Sequence, residues 1–224
     1  MEVNMFNTFV RKKTSGVNEV EDLQDWVWPD CDIGSWGAAN DGPLGDWLNS
    51  HKIKWFEHVR RYGVVLQAGG NMGLYARLLS DKFETVYTFE PHPLAFHCLV
   101  QNCQVPNIIK FNAALGPERS YIKNSIGLEG ADNMGMNQIA KMEGSIIPMF
   151  TIDELNLPSC DLIALDVEGF EYNILCGSMT TIVQYKPVII LENGERPEIK
   201  EFLTPFGYRV AGKSVADTVW APIL

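Results

Sequence analysis

A regular alternation of short apolar runs with stretches of helical spacing constrains the fold of this chain more than any other feature. The alternation begins after Tyr62. Continuous apolar strands that alternate with helices are typical of a parallel sheet with both faces covered. The sequence therefore predicts an α/β fold with a doubly wound, mostly parallel sheet. The runs that predict strands are 64–67, 85–89, 108–111, 162–166 and 187–191, and those that predict helices are 74–79, 94–101 and 171–176.

The first 60 residues differ in composition from the rest of the 224-residue chain. They hold five of its six tryptophans, together with glycine-rich stretches that favour turns. A chain of this length predicts one domain with an appendage. We interpret residues 1–60 as an N-terminal extension that packs on the core and residues 61–224 as the main domain. A second interpretation of the tryptophans, an aromatic lid over a substrate, stays open.

The charge balance argues against a nucleic-acid partner. The chain carries 18 Lys and Arg against 28 Asp and Glu, a net charge of −10, and its basic clusters are the short ones at 11–13 and 60–61. An acidic protein repels phosphate backbones unless it holds a basic groove. We therefore expect no nucleic-acid partner.

Cysteine usage and hydropathy indicate the compartment. The five cysteines are scattered without a CxxC pair, which argues against a disulfide framework and against a zinc knuckle. No apolar run approaches the roughly 20 residues of a membrane span, and the N-terminus lacks a signal-peptide core. We expect a cytoplasmic protein without membrane contact, and the sequence leaves open whether it forms a homodimer.

A glycine turn follows the first predicted strand, and an acid closes the second. The turn is QAGGNMG, residues 67–73, and Glu90 lies 21 residues after Gly69. A carboxylate at this distance from a glycine turn is well placed to accept hydrogen bonds from a ribose diol. A plain tight turn and a solvated or capping glutamate are the alternatives. Together the two features favour a cofactor that contains adenosine.

The glycine spacing distinguishes two kinds of cofactor. Dinucleotide sites use G-x-G-x-x-G at a helix N-terminus that faces a pyrophosphate. Here the glycines are Gly69, Gly70 and Gly73, without a basic residue nearby, a spacing that favours S-adenosylmethionine. A nicotinamide-dependent oxidoreductase remains the alternative, disfavoured by this spacing and by the lack of a Tyr-x-x-x-Lys pair.

Several motifs in order make the chain resemble the FkbM family of S-adenosylmethionine-dependent methyltransferases. They are VVLQAGGNMGLYA, VYTFEPHP, FNAALG, IPMFTIDEL, DLIALDVEGFEYNILCG and KPVIILE. The resemblance extends from about Val64 to the C-terminus and implies the class I Rossmann-like fold. It also implies O-methylation of a hydroxyl on a small molecule or glycan, with S-adenosylhomocysteine as the second product.

The resemblance also implies a set of cofactor contacts. Residues 69–73 would cradle the methionine part, Glu90 would hold the ribose hydroxyls, residues 112–113 would border the adenine, and Asp166 would face the methionine end or the substrate. The implied cofactor-binding residues are Gln67, Gly69, Gly70, Asn71, Gly73, Glu90, Pro91, Asn112, Ala113 and Asp166.

Two positions depart from the family pattern. Gln67 stands where an acid usually helps to receive the ammonium group of the cofactor, and Leu165 stands where a lysine is often found. Glutamine accepts a hydrogen bond but carries no charge, so either the affinity is lower or another acid substitutes. Besides a methyltransferase and an oxidoreductase, this departure leaves open a third hypothesis, that the chain binds a cofactor without being a catalyst.

The fourth predicted strand ends among carboxylates. Residues two apart on a strand face the same side, so Asp166 and Glu168 would both face the site if the strand continues as far as Gly169. Neighbouring carboxylates raise each other's pKa, which suits a base that works near neutral pH. We predict Asp166 or Glu168 as the catalytic base. Capping is the alternative for Glu168 and Glu171.

Two further hypotheses concern the same region. A divalent-metal site from Asp166, Glu168 and Glu192 is conceivable, but without a distinct ligand motif we predict no metal. The walls of the acceptor site are expected from residues 1–60 and 117–147, where segment 124–137 is either a mobile lid or an ordered surface loop.

Overall fold

The computed structural model describes residues 9–12, 26–29, 55–125, 144–214 and 216–223. The strands are β1 (Phe9–Lys12), β2 (Trp26–Pro29), β3 (Val64–Ala68), β4 (Thr85–Phe89), β5 (Ile108–Phe111), β6 (Ala114–Leu115), β7 (Ser120–Ser125), β8 (Gly144–Phe150), β9 (Leu162–Leu165), β10 (Val188–Glu192), β11 (Tyr208–Lys213) and β12 (Asp217–Pro222). The helices are α1 (Leu74–Ser80), α2 (Pro93–Asn102), α3 (Glu171–Cys176), α4 (Met179–Tyr185) and α5 (Pro197–Leu203), with 3₁₀ turns at Asp153–Leu155 and Thr204–Phe206.

Seven strands form the main sheet in the order β11-β12-β10-β9-β3-β4-β5. The five strands from β10 to β5 are parallel, and β12 runs antiparallel to both of its neighbours. This arrangement confirms the predicted α/β class and the mostly parallel, Rossmann-like sheet. The chain passes from β3 to β4 on one side and later returns to β9 on the other. The carboxyl ends of β3 and β9 therefore form the switch point where such sheets bind ligands.

Helices cover both faces of this sheet because successive strand residues point to opposite sides. Leu66 packs with Leu175 and Ile199 in one apolar cluster, whereas its neighbour Val65 packs with Leu79 in the other. All five residues of β3 are buried, as expected for a central parallel strand. The burial of β3 on both sides fixes the position of the turn that follows it.

A second sheet of three strands, in the order β6-β8-β7, was not predicted from the sequence. Two of its strands are only partly buried: Tyr121 on β7 and Ile146 on β8 are 73% and 69% exposed. Their polar and proline-containing sequences hide the alternation that marks a half-buried strand. Most of the segment 124–137 falls outside the described residues, so both interpretations of it remain predictions.

Strand β2, in the N-terminal region, contacts the main domain. Trp28 is fully buried among Met72, Ala95 and Cys98. The side chain of Asn102 at the end of α2 donates from Nδ2 to the carbonyl of Val27 at 3.0 Å, and its Oδ1 accepts from the same residue's N–H at 2.7 Å. Trp36 and Trp47 lie outside the described residues, and the division at residue 60 stays a prediction. Among the helices described, none is long and apolar enough to cross a membrane.

Replacing Asn102 with alanine tests how β2 is held. The Asn102 side chain is 2% exposed and also donates to the carbonyl of Met72 at 2.8 Å. Asn102→Ala would leave buried backbone groups without partners, so we expect the free energy of unfolding to fall by about 1–3 kcal/mol. Urea denaturation measures the loss. The control is Gln104→Ala at an exposed neighbouring site, which should change stability by under about 0.5 kcal/mol; equal effects would contradict the assignment.

Candidate functional site

The glycine turn is packed tightly between three strand ends. A Cβ on Gly69, whose φ is +82°, would lie 1.8 Å from the carbonyl oxygen of Asp166. Gly73 has a φ of +97° as it begins α1, and a Cβ there would lie 2.5 Å from Sγ of Cys103. The close approach of the turn to the backbone after β9 and to α2 therefore requires glycine at both positions.

Backbone hydrogen bonds join the ends of β3, β4 and β9 at this turn. The N–H groups of Gly69 and Gly70 both donate to the carbonyl of Phe89, at 3.2 and 2.9 Å. The N–H of Asp166 donates to the carbonyl of Ala68 at 3.1 Å. The first residues beyond all three strands are thus held at one place on the sheet edge.

Glu90 links the glycine turn to the start of α2. Its Oε2 accepts from the N–H of Asn71 and its Oε1 from the N–H of His92, both at 2.7 Å. Glu90 is only 7% exposed, and this burial raises its pKa to about 7 although both backbone hydrogen bonds oppose the shift. Each carboxylate oxygen keeps a second lone pair that can accept a hydrogen bond from a ligand.

Gln67 lies within the sheet, and its side-chain amide forms hydrogen bonds with other residues of the protein. Its Nε2 donates to the carbonyl of Gly69 at 2.7 Å, and its Oε1 accepts a hydrogen bond from the hydroxyl of Thr88. The side chain is 2% exposed. Gln67 therefore braces the turn and brings no charge to it.

The residues after β5 border the Glu90 side of the turn. Asn112 donates from Nδ2 to the carbonyls of Glu90 and Pro91 at 2.9 and 3.2 Å, whereas Ala113 is buried in the core. His92 is buried too, which lowers its pKa, and its side chain caps α2. The structure therefore brings Asn112 and Pro91 to Glu90 and places Ala113 behind them.

The carboxylates predicted after the fourth strand meet, but not through strand alternation. Strand β9 ends at Leu165, and Glu168 and Gly169 have φ values of +52° and +100°. The expectation that an extended strand aligns Asp166 with Glu168 is therefore wrong, since the chain turns there. Even so, carboxylate oxygens of Asp166, Glu168 and Glu192 lie within 4.8 Å of one another. These three side chains could hold a divalent cation or share a proton.

Burial and mutual repulsion raise the pKa values of these acids. The pKa of Asp166 is raised well above its ordinary value by burial, then by Glu192, Asp217 and Glu168. The pKa of Glu192 is also raised, chiefly by burial, and a hydrogen bond joins Asp166 to Glu192. Burial likewise raises the pKa of Glu168. Asp166 and Glu192 therefore titrate as a pair that retains a proton to higher pH than isolated carboxyls do.

A partly buried ion pair holds the turn that carries Glu168. The Oε1 of Glu171 accepts from the N–H groups of Val167 and Gly169 at 3.3 and 3.1 Å. Its Oε2 pairs with Arg196 Nη2 at 2.5 Å, and Arg196 Nη1 donates to the carbonyl of Gly169 at 3.0 Å. Glu171 is 1% exposed, so it positions the loop and is not a solvated surface acid. Arg196 lies outside the sequence motifs described above, and its role at this turn was not predicted.

Three further residues lie at the site: Trp55, which the sequence marked only as one of the N-terminal tryptophans, and Tyr75 and Asp217, which were not predicted as site residues. Trp55 Nε1 donates to Asp217 Oδ2 at 2.9 Å, and the Trp55 ring stacks on Tyr75 with centroids 5.1 Å apart. Together with Gln67 and Asp166 they line a cavity of about 10 Å³, room for about one water molecule. Trp55 and Asp217 are 162 positions apart, so only the fold brings them together.

A larger polar cleft lies beside this cavity and shares Asp217 with it. The cleft encloses about 430 Å³ between the turn after β10 and the β11–β12 hairpin. Its lining side chains include Asn193, Ser214 and Thr218. A volume of this size is enough for a small-molecule ligand.

Comparison with solved structures finds chains of low identity. A methyltransferase FkbM from Methylobacillus flagellatus is 16% identical with a TM-score of 0.49, over 73% of this chain and 45% of that one. A precorrin 8w decarboxylase from Methanobacterium thermoautotrophicum is 14% identical with a TM-score of 0.47, over 81% and 92%. A SAM-dependent methyltransferase from Aquifex aeolicus is 14% identical with a TM-score of 0.46, over 85% and 98%. This chain thus spans less than half the length of the Methylobacillus protein.

No curated protein sequence matches the chain. The model of the methyltransferase FkbM domain, in contrast, matches residues 67–210, from the glycine turn to β11. This range covers more than half of the chain and includes Glu90, Asp166, Glu168 and Glu192. The chain therefore belongs to the FkbM methyltransferase family.

Proposed function

We propose that this protein is an S-adenosylmethionine-dependent methyltransferase that methylates a hydroxyl group on a small molecule or glycan. The observation that carries the proposal is the junction of the glycine turn with Glu90 at the switch point of the sheet. Glu90 offers an acceptor oxygen on each side of a buried carboxylate, which suits a ribose diol.

The residues of the turn fit an adenosine cofactor with an amino acid tail. Oδ1 of Asn71 is buried without a hydrogen-bond partner among the described residues. It is therefore an acceptor to which a bound ligand can donate a hydrogen bond. Glu90 lies beside it and would hold the ribose, while Asn112 and Pro91 would border the base. When bound, S-adenosylmethionine supplies a methyl group on a positively charged sulfur.

The carboxylates after β9 support the transfer to an oxygen. An alcohol must lose its proton as its oxygen attacks, and a base with a raised pKa accepts that proton most effectively near neutral pH. Asp166 adjoins the glycine turn through its own backbone, and Glu192 can take up or release the shared proton. We therefore infer that Asp166 is the base, with Glu168 on the more exposed side of the cluster.

The polar cleft beside Asp217 supports a hydroxylated acceptor. Its two cationic side chains are already paired, Lys213 with Glu195 and Arg196 with Glu171. What remains for a ligand is mainly neutral donors and acceptors such as Asn193. Such groups recognise hydroxyls by hydrogen bonding and do not select for negative charge.

The first test is a calorimetric titration of the protein with S-adenosylmethionine, S-adenosylhomocysteine and NAD. We expect micromolar binding of the first two and none of NAD. Binding of NAD alone would replace the proposal with an oxidoreductase. Binding of both adenosyl compounds without methyl transfer to sugar or phenol acceptors would instead favour a non-catalytic cofactor-binding protein.

Ionisation of Glu90 should control cofactor affinity. Since its pKa is raised to about 7, the carboxylate gains its charge as the pH rises through neutrality. 5′-Methylthioadenosine contains the ribose but no amino acid, so its own charge does not change there. We expect its affinity to rise about fourfold between pH 6.5 and 8. Calorimetry at several pH values checks this.

Two variants serve as comparisons in that titration. Glu90→Ala should weaken binding by roughly five- to a hundredfold, because the hydroxyls lose a charged acceptor. Glu90→Gln keeps an acceptor oxygen without a titrating group and should abolish the pH dependence. If the same pH dependence persists in Glu90→Gln, the ribose does not bind Glu90.

Removing the proposed base should affect turnover more than binding. Asp166→Asn preserves shape, and we expect methyl transfer to fall by roughly 10²- to 10⁴-fold. Transfer is followed as a radiolabelled, alkali-stable methyl ether formed on small molecules of a cell extract. The rise in rate with pH through neutrality should disappear in this variant, and EDTA should leave the wild-type rate unchanged.

Glu201→Gln, at an exposed carboxylate on α5, is the control for Asp166→Asn. It should leave turnover within about twofold, as expected for a surface substitution. Equal rates for Asp166→Asn and the wild type, at equal S-adenosylhomocysteine affinity, would transfer the base assignment to Glu168.

A further inference from the structure

A second, larger cleft lies at the opposite edge of the main sheet. It encloses about 550 Å³ where segment 57–61 enters β3 and where β9 and β10 begin. Strand β3 has five residues, so its length of roughly 16 Å separates this cleft from the glycine turn. The two regions are therefore distinct sites on one sheet.

Cationic side chains gather around this cleft in an otherwise acidic protein. Arg60, Arg61, Lys186 and Arg209 line it, from three separate parts of the fold, although the chain has a net charge of −10. The sequence reveals only the Arg60–Arg61 pair. The fold brings the other two charges to the cleft, Arg209 on the β11–β12 hairpin and Lys186 at the end of α4. The acidic character of the whole chain thus does not extend to this surface.

The acids of the cleft neutralise only part of this charge. Asp161 is occupied: its Oδ2 accepts from the N–H groups of Gly63 and Val64 at 3.0 Å, and its Oδ1 pairs with Arg61 at 3.2 Å. Among the described residues, Glu57 is the other side-chain carboxylate that lines the cleft. Within the described part of the chain, Arg60 and Arg209 have no ion-pair or hydrogen-bond partner. Arg60, Lys186 and Arg209 therefore outnumber the remaining acid.

Apolar residues also line the cleft. Val59, Val188 and Ala221 are buried beneath it, and Ile223 is 63% exposed at its side. Binding sites for small molecules combine such an apolar surface with a few polar groups that orient the ligand. Arginine side chains bind phosphate and carboxylate through two parallel hydrogen bonds.

We propose that this cleft binds a small organic anion, one with an apolar body against Ile223 and a phosphate or carboxylate between Arg60 and Arg209. The cations are exposed, so binding is of moderate strength and weakens with added salt. It is independent of the glycine turn and does not rest on the proposed methyltransferase activity.

Phenyl phosphate is the probe, titrated calorimetrically into the full chain. We expect a dissociation constant of roughly 0.1–1 mM at low salt for a ligand of this size. Arg60→Ala and Arg209→Ala should each weaken binding by roughly three- to tenfold, and the lysine variants Arg60→Lys and Arg209→Lys by less. Lys200→Ala removes one exposed charge from α5, away from the cleft, and should change binding by under about 1.5-fold.

Further measurements distinguish this proposal from its alternatives. Glu90→Ala should bind phenyl phosphate like the wild type, and thermal melting should show that the arginine variants stay folded. Lack of saturable binding up to 10 mM ligand (a concentration about tenfold above the weakest expected constant) would overturn the proposal. So would equal losses in Lys200→Ala and the arginine variants, or inorganic phosphate binding as tightly as phenyl phosphate. Tighter, arginine-dependent binding of a short RNA would replace it with a polyanion surface.

Discussion

The structure depends on one close approach, that of the backbone at Gly69 to the carbonyl of Asp166. Because Gly69 has no side chain, the ends of β3 and β9 can converge here. The N–H groups of Gly69 and Gly70 then reach the carbonyl of Phe89 on β4. This junction places Glu90 and Asp166 on opposite sides of the same turn. Any side chain at Gly69 would separate the strand ends and with them the groups that we assign to the cofactor and to the base.

Around this junction the chain tolerates an arrangement that is costly for stability. Several carboxylates lie close together with little solvent, and burial raises the pKa of Asp166, Glu192 and Glu90. A raised carboxyl pKa means that the folded state holds protons more tightly than the unfolded state does. The stability that these groups contribute is therefore highest in acid and declines as the pH rises through neutrality. Such a cost is typical of functional sites, where unusual acidity serves chemistry.

The parts of this site that the sequence predicts are those encoded locally. A buried strand, a glycine turn and the acid after the next strand lie within one βαβ unit, so spacing alone identifies Gly69 and Glu90. The same local reasoning failed at Glu168, where a left-handed turn replaces the expected strand, and at Glu171, which is buried by a partner 25 residues away. Contacts across the fold, such as that of Trp55 with Asp217, have no local pattern to reveal them.

Gln67 combines a feature that the local sequence reveals with a contact that only the fold reveals. The sequence shows that a charge is missing there, but not that the amide joins Thr88 to the Gly69 carbonyl. With that bracing in place, the negative charge of this edge comes from Asp166, Glu192 and Asp217, on three other parts of the sheet. Under the proposed function, this charge favours a positively charged sulfonium donor over the neutral thioether that remains after transfer. The carboxylates on neighbouring strands thus supply negative charge at an edge of the sheet where residue 67 supplies none.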